Sequence, residues 1–203
     1  MAKIILIGGG SASGKSYVIS EVTKAIGANN ITHISIDDYY KKVDNVSLED
    51  RRKINYDHPR AFDRVLFREQ LEDLKNDKSI EKPLYDYVVL NRKDETENIV
   101  PQKIILVEGI TALVDKKCRD LADLKVFINA SRERRLVRRI ERDQKERGRT
   151  FNNIVEQYFD TVQPMYEEII GPSQVYADVI INNDGVKNDS IRALTAIISD
   201  YLK

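Results

Sequence analysis

Four short apolar runs punctuate the chain, Ile4 to Ile7, Ile31 to Ile36, Ile104 to Val107 and Leu124 to Ile128, and Val179 to Ile181 makes a fifth. Largely uninterrupted runs of this length suit strands covered on both faces. Between them the apolar spacing changes to threes and fours. Ile19, Val22 and Ile26 share one face of a helix predicted over Ser16 to Ile26, which Gly27 stops. Arg60 to Lys75, Ser131 to Glu146, Asn152 to Ile170 and Asp189 to Leu202 also read as helices. Strands alternating with helices predict an α/β fold: a mainly parallel sheet, helices on both faces, and right-handed crossovers. Ligands of such sheets lie at the carboxyl ends of the strands.

Two stretches break the alternation. Residues 44–57 are polar and turn-rich, and 80–101 holds two segments, Leu84 to Leu90 and Glu97 to Val100, that can pair as a β-hairpin. Both are candidate walls or lids of a pocket. Neither a linker nor a repeat divides the chain, so residues 1–203 are expected to form a single domain.

Composition narrows the function. At 41% hydrophobic and 33% charged, a chain of 203 residues can fill one core. Lys plus Arg and Asp plus Glu each number 33, so no net field gathers nucleic acid or an anionic membrane, and any polyanion site must be local. Cys118 stands alone, which excludes an internal disulfide and a cysteine-rich metal centre and leaves a small buried hydrophobe. The Ile4 to Ile7 run is too short for a signal segment or a membrane span, so a cytoplasmic protein is expected.

Gly9-Gly10-Ser11-Ala12-Ser13-Gly14-Lys15-Ser16 satisfies G-x-x-x-x-G-K-[ST], directly after a predicted strand and before a predicted helix. Glycines let backbone N–H groups curl around phosphates, and the helix amino terminus adds partial positive charge. Lys15 would reach the outer phosphates and the Ser16 hydroxyl would bind Mg2+. A nucleoside triphosphate such as ATP is therefore the expected ligand.

Mg2+ at a phosphate site needs only one or two carboxylates. Asp37 follows the second strand and Glu108 follows the third, so both project toward the phosphate loop. Asp38 competes with Asp37, but successive residues point apart. Asp37 is the candidate base for an acceptor hydroxyl.

Half of the residues from Arg132 to Arg149 are basic. Arg135, Arg138, Arg139 and Arg142 share one helical face, with Leu136, Val137 and Ile140 roughly opposite. Gly148 ends the helix and leaves Arg147 and Arg149 on a mobile segment. Solvated surface is the ordinary reading of such a face, and RNA binding is a further one. The phosphate loop favours a third: a helical lid over 131–150 whose arginines stabilise a transferred phosphoryl group.

Seven ordered segments resemble the uridine kinase (uridine-cytidine kinase) family over nearly the whole chain: GGSASGKS at 9–16, SIDDYY at 35–40, NYDHPRAFD at 55–63, PLYDYVVLNR at 83–92, VEGI at 107–110, RRIERDQKERGRT at 138–150 and the run from Gln157 to Ile181. The resemblance implies a P-loop NTPase-like kinase fold and transfer of the ATP γ-phosphate to the 5'-hydroxyl of uridine or cytidine. It also implies Asp37 as base and Glu108 as the acid near Mg2+. Tyr40, Tyr56 and Asp57 match residues around the nucleoside, and Tyr85 and Tyr87 fall where the hairpin meets the base. Arg139, Arg142, Arg147 and Arg149 match lid contacts to phosphate and ribose, and Gln157 matches a further pocket residue. His58 is expected to be structural, and a homo-oligomer is implied.

One departure stands out. Three residues beyond the second hairpin aromatic, where the family usually places a histidine that reads the pyrimidine edge, this chain has Leu90. Leucine makes no hydrogen bond, so the base edge loses a partner at about 1 to 3 kcal/mol unless Asn91 or a water replaces it. That opens a second reading, a related kinase for a sugar phosphate, pantothenate or another small alcohol. A third is a nucleotide-binding regulatory protein without chemistry.

Overall fold

The computed structural model describes residues 1–185 and 187–202. Its strands are β1 (Lys3–Gly8), β2 (Ile31–Ser35), β3 (Ile80–Asp86), β4 (Asn91–Ile99), β5 (Ile104–Glu108), β6 (Leu124–Asn129) and β7 (Val179–Asn182). Its α-helices are α1 (Lys15–Ile26), α2 (Leu48–Arg51), α3 (Arg64–Lys75), α4 (Lys116–Leu121), α5 (Arg132–Arg147), α6 (Phe151–Gln157), α7 (Gln163–Met165) and α8 (Lys187–Asp200). Five strands form an all-parallel sheet in the order β2-β5-β1-β6-β7, while β3 and β4 pair separately as an antiparallel hairpin. The five predicted strands are therefore the sheet.

Alternate side chains of these strands enter opposite cores, which is why the runs are largely apolar. Ile5, Ile7, Leu106, Val126 and Ile128 pack with Val18, Ile19 and Val22 of α1 and with Leu194 and Ile198 of α8. Ile4, Leu6, Ile105, Val107 and Phe127 share the other core with Phe67, Leu71 and Leu74 of α3 and Cys118 of α4. Each fully buried aliphatic side chain contributes about 1.5 to 3 kcal/mol. Cys118 is buried, as expected, and burial pushes its thiol up to about 12.

Register places the chemistry. Glu108 is level with Ile7 of β1 on one side and with Ser35 of β2 on the other. The phosphate loop, Glu108 and the turn after Ser35 therefore meet at the carboxyl edge of the sheet.

Several boundaries differ from the sequence reading. Helix α3 starts at Arg64 because Pro59–Ala61 forms a 3-10 turn and Asp63 caps the helix, accepting from the Leu66 N–H at 3.3 Å. His58 Nδ1 accepts from the Arg60 N–H at 3.0 Å, a structural cap. The predicted 152–170 helix is a rod in which π-helical turns at Tyr158–Val162 and Tyr166–Ile170 flank α7. Pro164 within α7 has no N–H to donate, and a widened turn accommodates that loss. Helices α2 and α4 went unpredicted, although Ser47 and Asp115 cap them.

The hairpin forms in a corrected register. Apolar residues 87–90 were read as the end of its first strand and instead make the turn, since Asp86 pairs with Asn91. Asp86 Oδ1 accepts from the N–H groups of Val88 at 2.8 Å and Val89 at 3.2 Å, and Leu90 takes a φ of 52°. A local side-chain-to-backbone turn overrides the β propensity of two valines. Among the described residues no helix is long and apolar enough to cross a membrane.

Candidate active site

The phosphate loop leaves β1 and enters α1 through two positions that only glycine can fill. Gly9 has φ +145° and Gly14 φ +95°. A Cβ on Gly9 would lie 2.3 Å from the Ile128 carbonyl oxygen, and one on Gly14 would lie 2.4 Å from Asn183 Nδ2. Ser11, Ala12 and Ser13 turn between Gly10 and Gly14, with the Ser13 N–H donating to the Gly10 carbonyl at 3.1 Å. Lys15 is buried, and its Nζ donates to the carbonyls of Gly9 at 2.9 Å and Gly10 at 3.0 Å. Burial lowers its pKa, against the attraction of Glu108 and Asp37. The Ser13 hydroxyl is buried without a partner. A narrow backbone cradle, an orphaned hydroxyl and an ammonium lying on loop carbonyls fit a phosphate chain.

The acids converge on this cradle. Ser16 Oγ donates to Glu108 Oε2 at 3.0 Å, and His33 Nε2 lies 3.6 Å from Glu108 Oε1. Burial pushes the Glu108 carboxyl up, but His33, Lys15 and Ser16 together hold it below its ordinary value. Asp37 sits in the 3-10 turn Ile36–Tyr39, where Ser35 Oγ accepts from its N–H at 3.3 Å. Its Oδ1 is buried without a partner, while Oδ2 accepts from the Tyr87 hydroxyl at 3.5 Å. Burial, then Glu108, raises Asp37 to about 6, while Lys15 and Arg147 pull the other way. Asp38 turns elsewhere, accepting from Lys82 Nζ at 2.6 Å. Asp38 is thus held by Lys82, whereas Asp37 interacts electrostatically with Lys15 and Glu108. Among the described residues no group of three His, Cys, Asp or Glu side chains could hold a metal by itself. Ser16, Asp37 and Glu108 beside a phosphate cradle nevertheless match the hard, partial ligand set that Mg2+ takes.

An aromatic wall stands across from Asp37. Tyr40 stacks on Phe62 at 4.4 Å and meets Tyr56 at 5.1 Å and Tyr85 at 4.9 Å, and Tyr85 meets Tyr87 at 5.3 Å. Tyr40 and Tyr85 are buried in this cluster. The Tyr56 hydroxyl donates to the Leu90 carbonyl at 3.4 Å, which ties residues 44–57 to the hairpin turn. Asn91 Oδ1 accepts from the Val43 N–H at 2.7 Å, which ties the start of β4 to the segment after Tyr40. Asp57 is buried, which raises its carboxyl, and Arg139 followed by Arg142 opposes the rise.

Helix α5 turns its charged side inward. Arg135, Arg139 and Asp143 are its buried residues, while Val137 is half exposed. Arg139 donates to Ser11 Oγ at 2.7 Å and to Gln157 Oε1 at 2.9 Å. Arg138 donates to the Ser13 carbonyl at 3.3 Å, and Arg135 lies 3.6 Å over the Tyr166 ring. Arg142 and Asp143 pair at 2.8 Å. Arg147 closes the helix, not a loose segment beyond it, and lies 4.9 Å from the Tyr87 ring. Arg149 is fixed too: its N–H donates to the Asp143 carbonyl at 3.1 Å and its guanidinium to Gln157 Oε1.

Sequence reasoning missed three contributors. Asn183 is buried beyond β7 and donates to the Ser13 carbonyl at 2.7 Å, and no motif marks it. Arg138 was seen on the cationic face without a role. Asp143 was not singled out from the sequence, although its place among arginines on that face was the available signal.

The phosphoribulokinase / uridine kinase family profile matches residues 4–189. A uridine kinase of Clostridium tetani is 45% identical across 98% of this chain and 96% of its own length. One of Macrococcus caseolyticus is 40% identical across the whole of both chains. Among solved structures, a putative fructose transport system kinase from Silicibacter superposes with a TM-score of 0.70 at 18% identity, covering 89% of each chain. Phosphoribulokinase from Rhodobacter spheroides superposes at 0.65 and 15% identity, covering 89% of this chain and 70% of that one. These two likenesses bear on the fold alone. Matched along nearly its whole length, and carrying the phosphate cradle with both acids at the sheet edge, the chain belongs to the phosphoribulokinase / uridine kinase family.

Proposed function

We propose that this chain is a uridine kinase that transfers the γ-phosphoryl group of ATP to the 5'-hydroxyl of uridine or cytidine. The observation that carries the reading is Asp37: a carboxylate with one buried, unpartnered oxygen, placed between the phosphate cradle and an aromatic wall suited to a flat base. Lys15 and the backbone of residues 9–16 hold the phosphates. Ser16, Asp37 and Glu108 would hold Mg2+, which neutralises and aligns the phosphates when bound. Tyr40, Tyr56, Tyr85, Tyr87 and Leu90 bound the base, and Asp57 takes the ribose hydroxyls. Asp37 accepts the proton of the 5'-hydroxyl as its oxygen bonds the γ-phosphorus and the bond to the β-phosphate breaks, releasing ADP. Arg139, Arg142, Arg147 and Arg149, with Gln157 between two of them, spread the charge of the transferred group.

The test is a panel of uridine, cytidine, thymidine, pantothenate and fructose phosphate with MgATP, read by coupled ADP release and by mass spectrometry of the product. Uridine and cytidine are expected to give 5'-monophosphates at the highest kcat/KM. Turnover of another alcohol without either nucleoside refutes the substrate assignment. ATP binding without product from any acceptor refutes the chemistry.

A further inference from the structure

Asp143 is fully buried on a helix whose other buried side chains are two arginines. One carboxylate holds four guanidiniums. Arg142 lies 2.8 Å and Arg147 3.6 Å from its Oδ1, and Arg149 lies 3.5 Å and Arg139 3.7 Å from its Oδ2. That second oxygen has ion-pair neighbours but no hydrogen bond, and Arg139 Nε is equally without one. The knot is thus anchored at one oxygen by Arg142 and loosely filled at the other. Arg139 also feels the Asp57 carboxylate, but four cations outnumber these two anions and leave an excess of positive charge beside the loop that Arg139 touches through Ser11. Without the carboxylate the four guanidiniums, Arg139 buried and the other three partly exposed, would repel one another.

We propose that Asp143 is a positioning residue of the phosphoryl-transfer site, a built-in anion that assembles Arg139, Arg142, Arg147 and Arg149 against the phosphate loop before the nucleotide arrives. The loosely held oxygen releases its share of the guanidiniums to the triphosphate, while the Arg142 contact keeps the helix in place. The activity readout rests on the kinase reading above, whereas the binding readout does not. Removing the carboxylate removes both an organiser and a competitor for the arginines. Alignment in the transition state therefore suffers while ground-state affinity for the polyanion does not.

The experiment compares Asp143→Asn and Asp143→Glu with the unaltered full chain by steady-state kinetics with uridine and by calorimetric MgATP titration at one salt concentration. In D143N, kcat is expected to fall at least about tenfold, as misaligned electrostatic groups do. The MgATP dissociation constant should stay within about threefold or tighten, since a competing anion is gone. D143E should retain more turnover than D143N. A kcat loss below tenfold, ATP affinity lost in step with kcat, or equal losses in both variants would overturn the proposal. If D143N does not fold, Arg142→Gln/Asp143→Asn, which removes one charge of each sign, is compared with Arg142→Gln. A further tenfold kcat loss in the double variant supports the role, and equal kcat overturns it. Were the unaltered chain inactive on every nucleoside, the kinase reading would fall while weakened MgATP binding in D143N would still count against Asp143.

Discussion

Asp37→Asn should remove activity and at the same time stabilise the fold. The carboxyl is raised from 3.8 to about 6, with burial as the largest cause. At 1.36 kcal/mol per pH unit, the folded state of the unliganded protein carries about 3 kcal/mol of penalty at pH 7. The sign follows from proton binding. Between pH 3.8 and about 6 the folded chain holds this proton more tightly than the unfolded chain, so stability falls as pH rises, and above about 6 the penalty is complete. Asparagine keeps the shape and the acceptor oxygen facing Tyr87 without the charge. Its advantage should vanish below pH 3.8 and reach about 3 kcal/mol at pH 7, a rise in Tm of about 6 to 12 °C for a chain of this size. Turnover should drop about 100-fold or more, the usual share of a general base. Calorimetric melts from pH 3.5 to 8 and uridine kinetics read the two effects separately. A variant no more stable than the parent at pH 7 refutes the penalty assigned to this carboxylate, and turnover reduced less than tenfold refutes the base.

Two further substitutions probe the cradle and the departure in the hairpin. Gly14→Ala should abolish measurable MgATP binding by calorimetry, because a Cβ would sit 2.4 Å from Asn183 Nδ2 at φ +95°, and the backbone strain alone costs about 1 to 2 kcal/mol. Leu90→His should raise kcat/KM for uridine about fivefold through one recovered hydrogen bond, and histidine suits the φ of 52° at this position better than leucine. An unchanged uridine-to-thymidine ratio would show that residue 90 does not read the base.

Local rules carry the parts of this molecule that local chemistry decides. The five sheet strands were legible because their runs are largely apolar, most completely in β1 and β5, which are buried on both faces, and α1 was legible because three aliphatic side chains share one face up to Gly27. The phosphate loop was legible because its backbone demands glycine at positions 9 and 14 whatever surrounds it. Asp37 and Glu108 were singled out from their places at the ends of strand-like runs: Asp37 lies in the turn after β2, and Glu108 is the last residue of β5. The hairpin register was not, because the Asp86 side chain, not the valines, decides where the chain turns.

Tertiary contact decided the rest. Nothing local distinguishes Asp37 from Asp38; Lys82, forty-four residues beyond Asp38, takes one and leaves the other to the loop. The cationic face of α5 reads as solvated surface until the fold presses it against residues 11–13. Asn183 meets Ser13 across 170 residues. Strand and loop propensities act over a few bonds, whereas charge and packing act through space, so the elements belong to the sequence and the pairing of their polar groups belongs to the folded chain.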